Sequence, residues 1–182
     1  MQPTRRRLLF GRSAARVPLP PPWARSAPAF AHACTRCGDC VTACPTGIID
    51  ATGAFAVVDF ARGECTFCGD CVRACPEPAF DRIAFDAGSA PWTLVATIGD
   101  ACLARARVIC QTCGDACAPR AIRFHPVPGG VPIPRLDRAT CTGCGACVGV
   151  CPVHAIDVAA PTATSADIAV APHATLVIGS MQ

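Results

Sequence analysis

The chain has 182 residues, sixteen of them cysteine and none of them lysine. The net charge of +3 is unevenly placed: six arginines and no acid precede Cys34, and ten arginines stand against thirteen acids after it. That composition excludes Schiff-base and phosphate-loop lysine chemistry. With Leu, Ile, Val and Phe making up only about a fifth of the chain, it also excludes a large self-sufficient core.

Residues 1–32 read as a basic, Arg/Pro-rich tail. Arg5, Arg6, Arg7 and Trp23 are its candidate partner-docking residues. Thr4 to Phe10 superficially echoes a twin-arginine export signal. No apolar run follows the arginines, so neither export nor a membrane span is expected, and a cytoplasmic location is. Phe10 and Trp23 alone interleave the arginines, too few aromatics for a nucleic-acid platform.

The body opens with Cys34-x2-Cys37-x2-Cys40-x3-Cys44-Pro45. Residues 40–44 suit a short helix that the proline stops, followed by a strand at 48–50. A second strand, 55–58, leads into Cys65-x2-Cys68-x2-Cys71-x3-Cys75-Pro76, with a helix over 71–75 and a strand over 80–85. Strand 92–98 leads into an altered copy, Cys102-x7-Cys110-x2-Cys113-x3-Cys117, followed by strand 121–124. Strand 133–136 precedes Cys141-x2-Cys144-x2-Cys147-x3-Cys151-Pro152, with a helix over 147–151 and a strand over 155–158. Residues 161–182 form a second tail, in which 174–178 has the composition of an extra strand.

The motif offsets indicate nested duplication. Motifs one and two lie 31 residues apart, three and four 34, and two and three 42. Trp23 and Trp92 hold similar places ahead of motifs one and three. The expected fold class is α+β, a tandem bacterial-type dicluster ferredoxin fold of two small units, 33–87 and 88–160, flanked by the tails.

Cysteine density of this kind marks either disulfide scaffolds or metal sites. Zinc needs two plus two cysteines and has no use for the third cysteine and the proline. Three intact CxxCxxCxxxCP copies therefore point to 4Fe–4S clusters, up to four, in which the last cysteine of each motif serves the other cluster of its pair. The expected sets are Cys34, Cys37, Cys40 with Cys75; Cys65, Cys68, Cys71 with Cys44; Cys102, Cys110, Cys113 with Cys151; and Cys141, Cys144, Cys147 with Cys117. A nested pairing, one with four and two with three, remains open. So does the place of Cys102: as a ligand it forces its x7 loop to bulge, and without it the third site is incomplete. Gly38, Gly69, Gly143 and Gly145 relieve the turns between ligands. With so thin a core, cluster loading and folding are expected to be coupled. His154 lies beside Cys151-Pro152 but reads as a loop residue, and His32, His125 and His173 have no partner pattern. No catalytic constellation or dinucleotide fingerprint is present, so no enzyme activity is expected.

The three regular motifs, together with Cys102-Leu103-x6-Cys110-x2-Cys113-x3-Cys117 and Arg120-Ala121-Ile122-Arg123-Phe124, resemble the NapF family. These are the ferredoxin-type accessory proteins of the periplasmic nitrate reductase system. The arginine-rich start and Pro21-Pro22-Trp23-Ala24 are also similar to that family, and the likeness spans nearly the whole chain. The resemblance implies cluster ligation by all sixteen cysteines and a cytoplasmic role in maturing the precursor of the nitrate reductase catalytic subunit (NapA) before its export. An electron-transfer ferredoxin serving an oxidoreductase is the alternative.

Overall fold

Short elements are all that the cysteine spacing leaves room for. The computed structural model describes residues 18–161. In chain order its elements are α1 (Ala27–Ala33), α2 (Asp39–Ala43), β1 (Ile49–Asp50), β2 (Val57–Val58), α3 (Asp70–Ala74), α4 (Arg82–Asp86), β3 (Val95–Ile98), α5 (Thr112–Asp115), β4 (Ile122–His125), β5 (Ile133–Leu136), α6 (Ala146–Gly149) and β6 (Ile156–Ala159). Small strands and helices of one or two turns make this an α+β architecture.

Three of the helices begin alike. Gly38, Gly69 and Gly145 precede α2, α3 and α6 with φ of 88°, 77° and 82°, a left-handed conformation that side chains resist. Asp39 and Asp70 then occupy the first turns of α2 and α3, where a negative charge suits the helix dipole. Before α5 stands Gln111, with φ −129°, so the altered motif enters its helix by a different route.

Antiparallel pairing sorts the strands by motif. β1 follows motif one and pairs with β2, which precedes motif two, Ile49 opposite Val58. In the same way β4 pairs with β5, Ile122 opposite Leu136, between motifs three and four. β3, ahead of motif three, pairs with β6, behind motif four, Val95 opposite Ala159. The equivalent outer pair of the first half is reduced to one bridge, Ala24 to Phe80. Two hydrogen bonds flank it, from Arg25 N–H to the Ala79 carbonyl (3.1 Å) and from Asp81 N–H to the Trp23 carbonyl (2.8 Å).

Two expectations need correction. Residues 80–85 are not a strand. After the Phe80 bridge the Asp81 carboxylate accepts a hydrogen bond from Ala84 N–H (2.9 Å) and starts α4. The stretch ahead of Cys34 is not wholly a tail. From residue 18 it packs on the first half, with α1 begun at Ala27-Pro28 and Phe30 only 1% exposed. Residues 1–17 and 162–182, with Arg5, Arg6, Arg7, His173 and the 174–178 strand expectation, lie outside the described residues.

The core is thin and partly made of sulfur. Trp23, Phe30, Ile48, Ile49, Phe60, Val72, Phe80, Ile122, Val148 and Ile156 are buried together with Cys40, Cys65, Cys71, Cys113 and Cys147. The third cysteine of every motif is thus a core residue.

Candidate metal centres

Each cysteine motif is a loop that runs into a one-turn helix, and the helix turns the last cysteine away from its own loop. The result is visible in what lines each hollow. One is walled by Cys34, Cys37, Cys40 and Cys75, three cysteines of motif one and the last of motif two. Another is walled by Cys102, Cys110, Cys113 and Cys151, and a third by Cys117, Cys141, Cys144 and Cys147. The remaining set is gathered around Cys71, whose thiol feels those of Cys65, Cys68 and Cys44, along with Cys40. The expected crosswise sets are the groups that the fold brings together, and Cys102 is within its group.

The altered loop explains how. Cys102 N–H donates to the Gly99 carbonyl (3.2 Å), directly after β3. The seven residues that follow close on themselves: Ala106 N–H reaches the Cys102 carbonyl (3.1 Å) and Val108 N–H the Leu103 carbonyl (2.9 Å). The insertion bulges outward, leaving Ile109 exposed, and returns Cys110 to the hollow.

Among the described residues, no group of three or more His, Cys, Asp or Glu side chains is placed to hold a single metal ion. A lone tetrahedral zinc has Zn–S bonds of about 2.3 Å and draws its sulfurs into near contact. Here the cysteines line the walls of a hollow instead of meeting at its centre. A cubane, with iron at alternate corners, needs its ligands on the walls. Thiolate sulfur is also the donor that Fe–S clusters take.

Without a cation these thiols resist ionisation. Burial, reinforced by the neighbouring cysteines, pushes Cys40 and Cys113 up to about 11 and Cys71 and Cys147 up to about 12. Burial likewise raises Cys65 to about 11. Four thiolates in such a hollow are stable only around positive charge. Cys44 differs: burial raises its thiol, but the Thr46 hydroxyl and the N–H groups of Ile48, Thr46 and Gly47 outweigh it and bring it below the ordinary thiol value. Other sulfurs also have amide donors, Ala155 N–H at 3.2 Å from Cys151 Sγ and Ala96 N–H at 3.5 Å from Cys141 Sγ. Hydrogen bonds to sulfur tune an Fe–S cluster's potential.

The residues around the loops have structural tasks. His154 is exposed and sits in a left-handed turn (φ 50°) after Cys151-Pro152, where Gly47 (φ 63°) and Arg120 (φ 54°) hold the same place after Cys44 and Cys117. Each donates its N–H to the carbonyl of that cysteine. His32 and His125 are exposed. Trp23 is a correction to the docking arm: it is 9% exposed, edge-on to Phe85 at 5.0 Å, and its Nε1–H donates to the Ser89 carbonyl (2.9 Å). Packed so, it offers a partner almost no surface.

What the motif pattern did not disclose is a seam between the halves. Cys65 N–H donates to the Cys144 carbonyl (2.8 Å), linking the loops of motifs two and four. Trp92 Nε1–H donates to the Thr142 carbonyl (3.2 Å), and its ring stands edge-on to Phe60 and to Phe67, each at 5.9 Å. The glycines at 143, 145 and 149 were the available signal for such close approach.

With this geometry in place, comparison with known proteins is informative. The 4Fe-4S dicluster domain family matches residues 33–79 and 107–155. The chain is 44% identical over 141 residues to the ferredoxin-type protein NapF of Haemophilus influenzae, covering 77% of this chain and 78% of that one. It is 42% identical over 155 residues to the ferredoxin-type protein NapF of Escherichia coli K12, covering 84% and 92%.

Proposed function

Because the chain belongs to the ferredoxin-type NapF family and carries two 4Fe-4S dicluster domains, we propose that it holds up to four 4Fe–4S clusters and assists cytoplasmic maturation of the precursor of the periplasmic nitrate reductase catalytic subunit. The observation that carries the cluster assignment is the crosswise wall of Cys34, Cys37, Cys40 and Cys75, repeated by Cys102, Cys110, Cys113 and Cys151 and by Cys141, Cys144, Cys147 and Cys117. Cys65, Cys68, Cys71 and Cys44 complete the second centre. When bound, each cluster stores one electron. The chain's own groups do the rest: thiolates grip, amide N–H groups moderate the sulfur charge, and the buried side chains exclude water.

The modules of this reading are units 33–87 and 88–160, with residues 18–32 strapped onto the first. The arginines of the N-terminal segment dock the partner by charge, and the role is that of a carrier or chaperone, with no chemistry of its own on a substrate. Among the described residues no helix is long and apolar enough to cross a membrane.

Anaerobic purification with iron and sulfide counting tests the clusters; about sixteen iron atoms per chain is the expected result. Capture of the co-expressed nitrate reductase precursor tests the maturation role. Zinc in place of iron would overturn the first, and a precursor that passes through unbound would overturn the second. Electron transfer is a second reading, favoured by the hydrogen bond between Cys65 and Cys144.

A further inference from the structure

We propose that the Cys65–Cys144 contact is an electron-transfer junction between the second and fourth centres, so that the four centres form one relay in the order first, second, fourth, third. The inference rests on the cluster assignment above and adds to it a connection between the two units.

Both residues of the contact belong to cysteine quartets. The path runs from Cys65 Sγ through its Cβ, Cα and N–H, across a 2.8 Å hydrogen bond, to the carbonyl, Cα, Cβ and Sγ of Cys144. No intervening residue lengthens it. Among the described residues, the loops of motifs one and three make no backbone hydrogen bond to the opposite half, so the seam joins the inner centres.

The seam is built to stay closed. Phe60, ahead of motif two, is 6% exposed and fills the space beside Gly145, in motif four. At Gly149 a Cβ would already stand 3.2 Å from the Phe60 carbonyl oxygen and 3.4 Å from that of Ala61. Trp92 bonds to Thr142, between Cys141 and Cys144, and lies against Phe67, between Cys65 and Cys68. One ring therefore clamps loop two to loop four. Close packing of this kind holds the two loops at a fixed separation.

Within each half the centres are already adjacent. The thiols of Cys40 and Cys71 interact across α2 and α3, and those of Cys113 and Cys147 across α5 and α6. The junction connects the two pairs. An electron arrives from an external one-electron donor, which is oxidised, and leaves to a one-electron acceptor, which is reduced. No bond forms or breaks.

The test uses the full chain, prepared without oxygen, with Cys37→Ala and Cys110→Ala. These changes remove a ligand from the first and third centres and leave the second and fourth, one in each half. About eight iron atoms per chain verifies that both are loaded; with fewer, the cluster assignment itself is at fault, and the junction falls with it. After reduction with dithionite, the expected paramagnetic resonance signal is broadened by interaction between the two centres. The companion variant, Cys68→Ala with Cys141→Ala, leaves the first and third and is expected to show two narrow, additive signals. Additive signals from the first variant at full iron would overturn the junction. Gly149→Phe in the otherwise unaltered chain wedges the seam apart. At unchanged iron it is expected to lose part of the interaction, and a spectrum identical to that of the parent would also overturn the proposal.

Discussion

The ring of Phe60 occupies the space that any side chain at position 145 would need. A Cβ built on Gly145 would stand only 2.0 Å from Cδ1 of that ring, and the glycine itself is left-handed, with φ +82°. Gly38 holds the same place in motif one with φ +88°, yet nothing lies within 4 Å of its Cβ position. The two glycines separate backbone strain from steric overlap. Gly38→Ala is expected to cost about 1–2 kcal/mol, the penalty of a left-handed alanine. Gly145→Ala adds displacement of a buried aromatic, and about 1–3 kcal/mol more follows from overpacking. Thermal unfolding of the loaded proteins measures both. Equal losses would show that Phe60 yields freely and that the seam is loose.

The crosswise sharing of ligands makes a prediction about non-additivity. Cys34 and Cys75 wall one hollow, so Cys34→Ser and Cys75→Ser should each remove about four iron atoms, and the double variant no more than about four. Cys34→Ser combined with Cys44→Ser strikes two centres and should remove about eight. Under a nested pairing of motifs, Cys34 and Cys75 would belong to different centres and their losses would add. Cys102→Ser, in the altered motif, should likewise remove about four; an unchanged iron-to-protein ratio would take Cys102 out of the third set.

Much of this was legible from spacing. The Cys-Pro steps stop the helices, and apolar stretches either side of the motifs became β1 to β6 with ends shifted by at most three residues. Ile133–Leu136 took its expected span despite Pro134, because β5 has only one partner strand and an edge tolerates the missing N–H. What failed did so for identifiable reasons. In 80–85 the apolar residues Phe80, Ile83 and Ala84 follow a helical period, and Asp81 is a capping residue, but a short apolar stretch behind a cysteine motif reads equally as a strand. Ahead of Cys34, arginine and proline content masked a helix that Pro28 in fact starts. The Cys65–Cys144 bond had no local signature, since it joins backbone groups 79 positions apart that only tertiary packing brings together.

Removal of metal should unfold the protein in step with cluster loss. Five of the buried core residues are cysteines, and their thiols are packed against one another and against a small set of apolar side chains. Stripping iron leaves the hollows without the cations around which those sulfurs are arranged, and the apolar core is too small to compensate. Treatment with a chelator under reducing conditions is expected to abolish the cooperative thermal transition and to expose dye-binding apolar surface. Anaerobic reconstitution with iron and sulfide should restore both. A stripped protein that still melts cooperatively at its original temperature would show that clusters are passengers in this fold.

The boundary between tail and body can be placed by truncation. Deletion of residues 1–17 removes Arg5, Arg6, Arg7, Arg12 and Arg16 and spares every buried residue named above, and iron content and melting temperature are expected to stay as in the full chain. Deletion of residues 1–32 also removes Trp23 and Phe30, 9% and 1% exposed, and with them the bridge to Phe80. Trp23→Ala alone is expected to cost about 3–5 kcal/mol, the range for truncating a buried aromatic. The longer deletion should therefore destabilise the first half and lose the clusters it holds. Partner capture separates from stability in the shorter deletion: with five arginines gone, binding of the nitrate reductase precursor should weaken. Raising the salt concentration should weaken binding of the intact chain in the same way, because exposed charges are screened over about 10 Å at 0.1 M salt. Undiminished capture by the chain that begins at residue 18 would move the docking surface from the arginines onto the folded body.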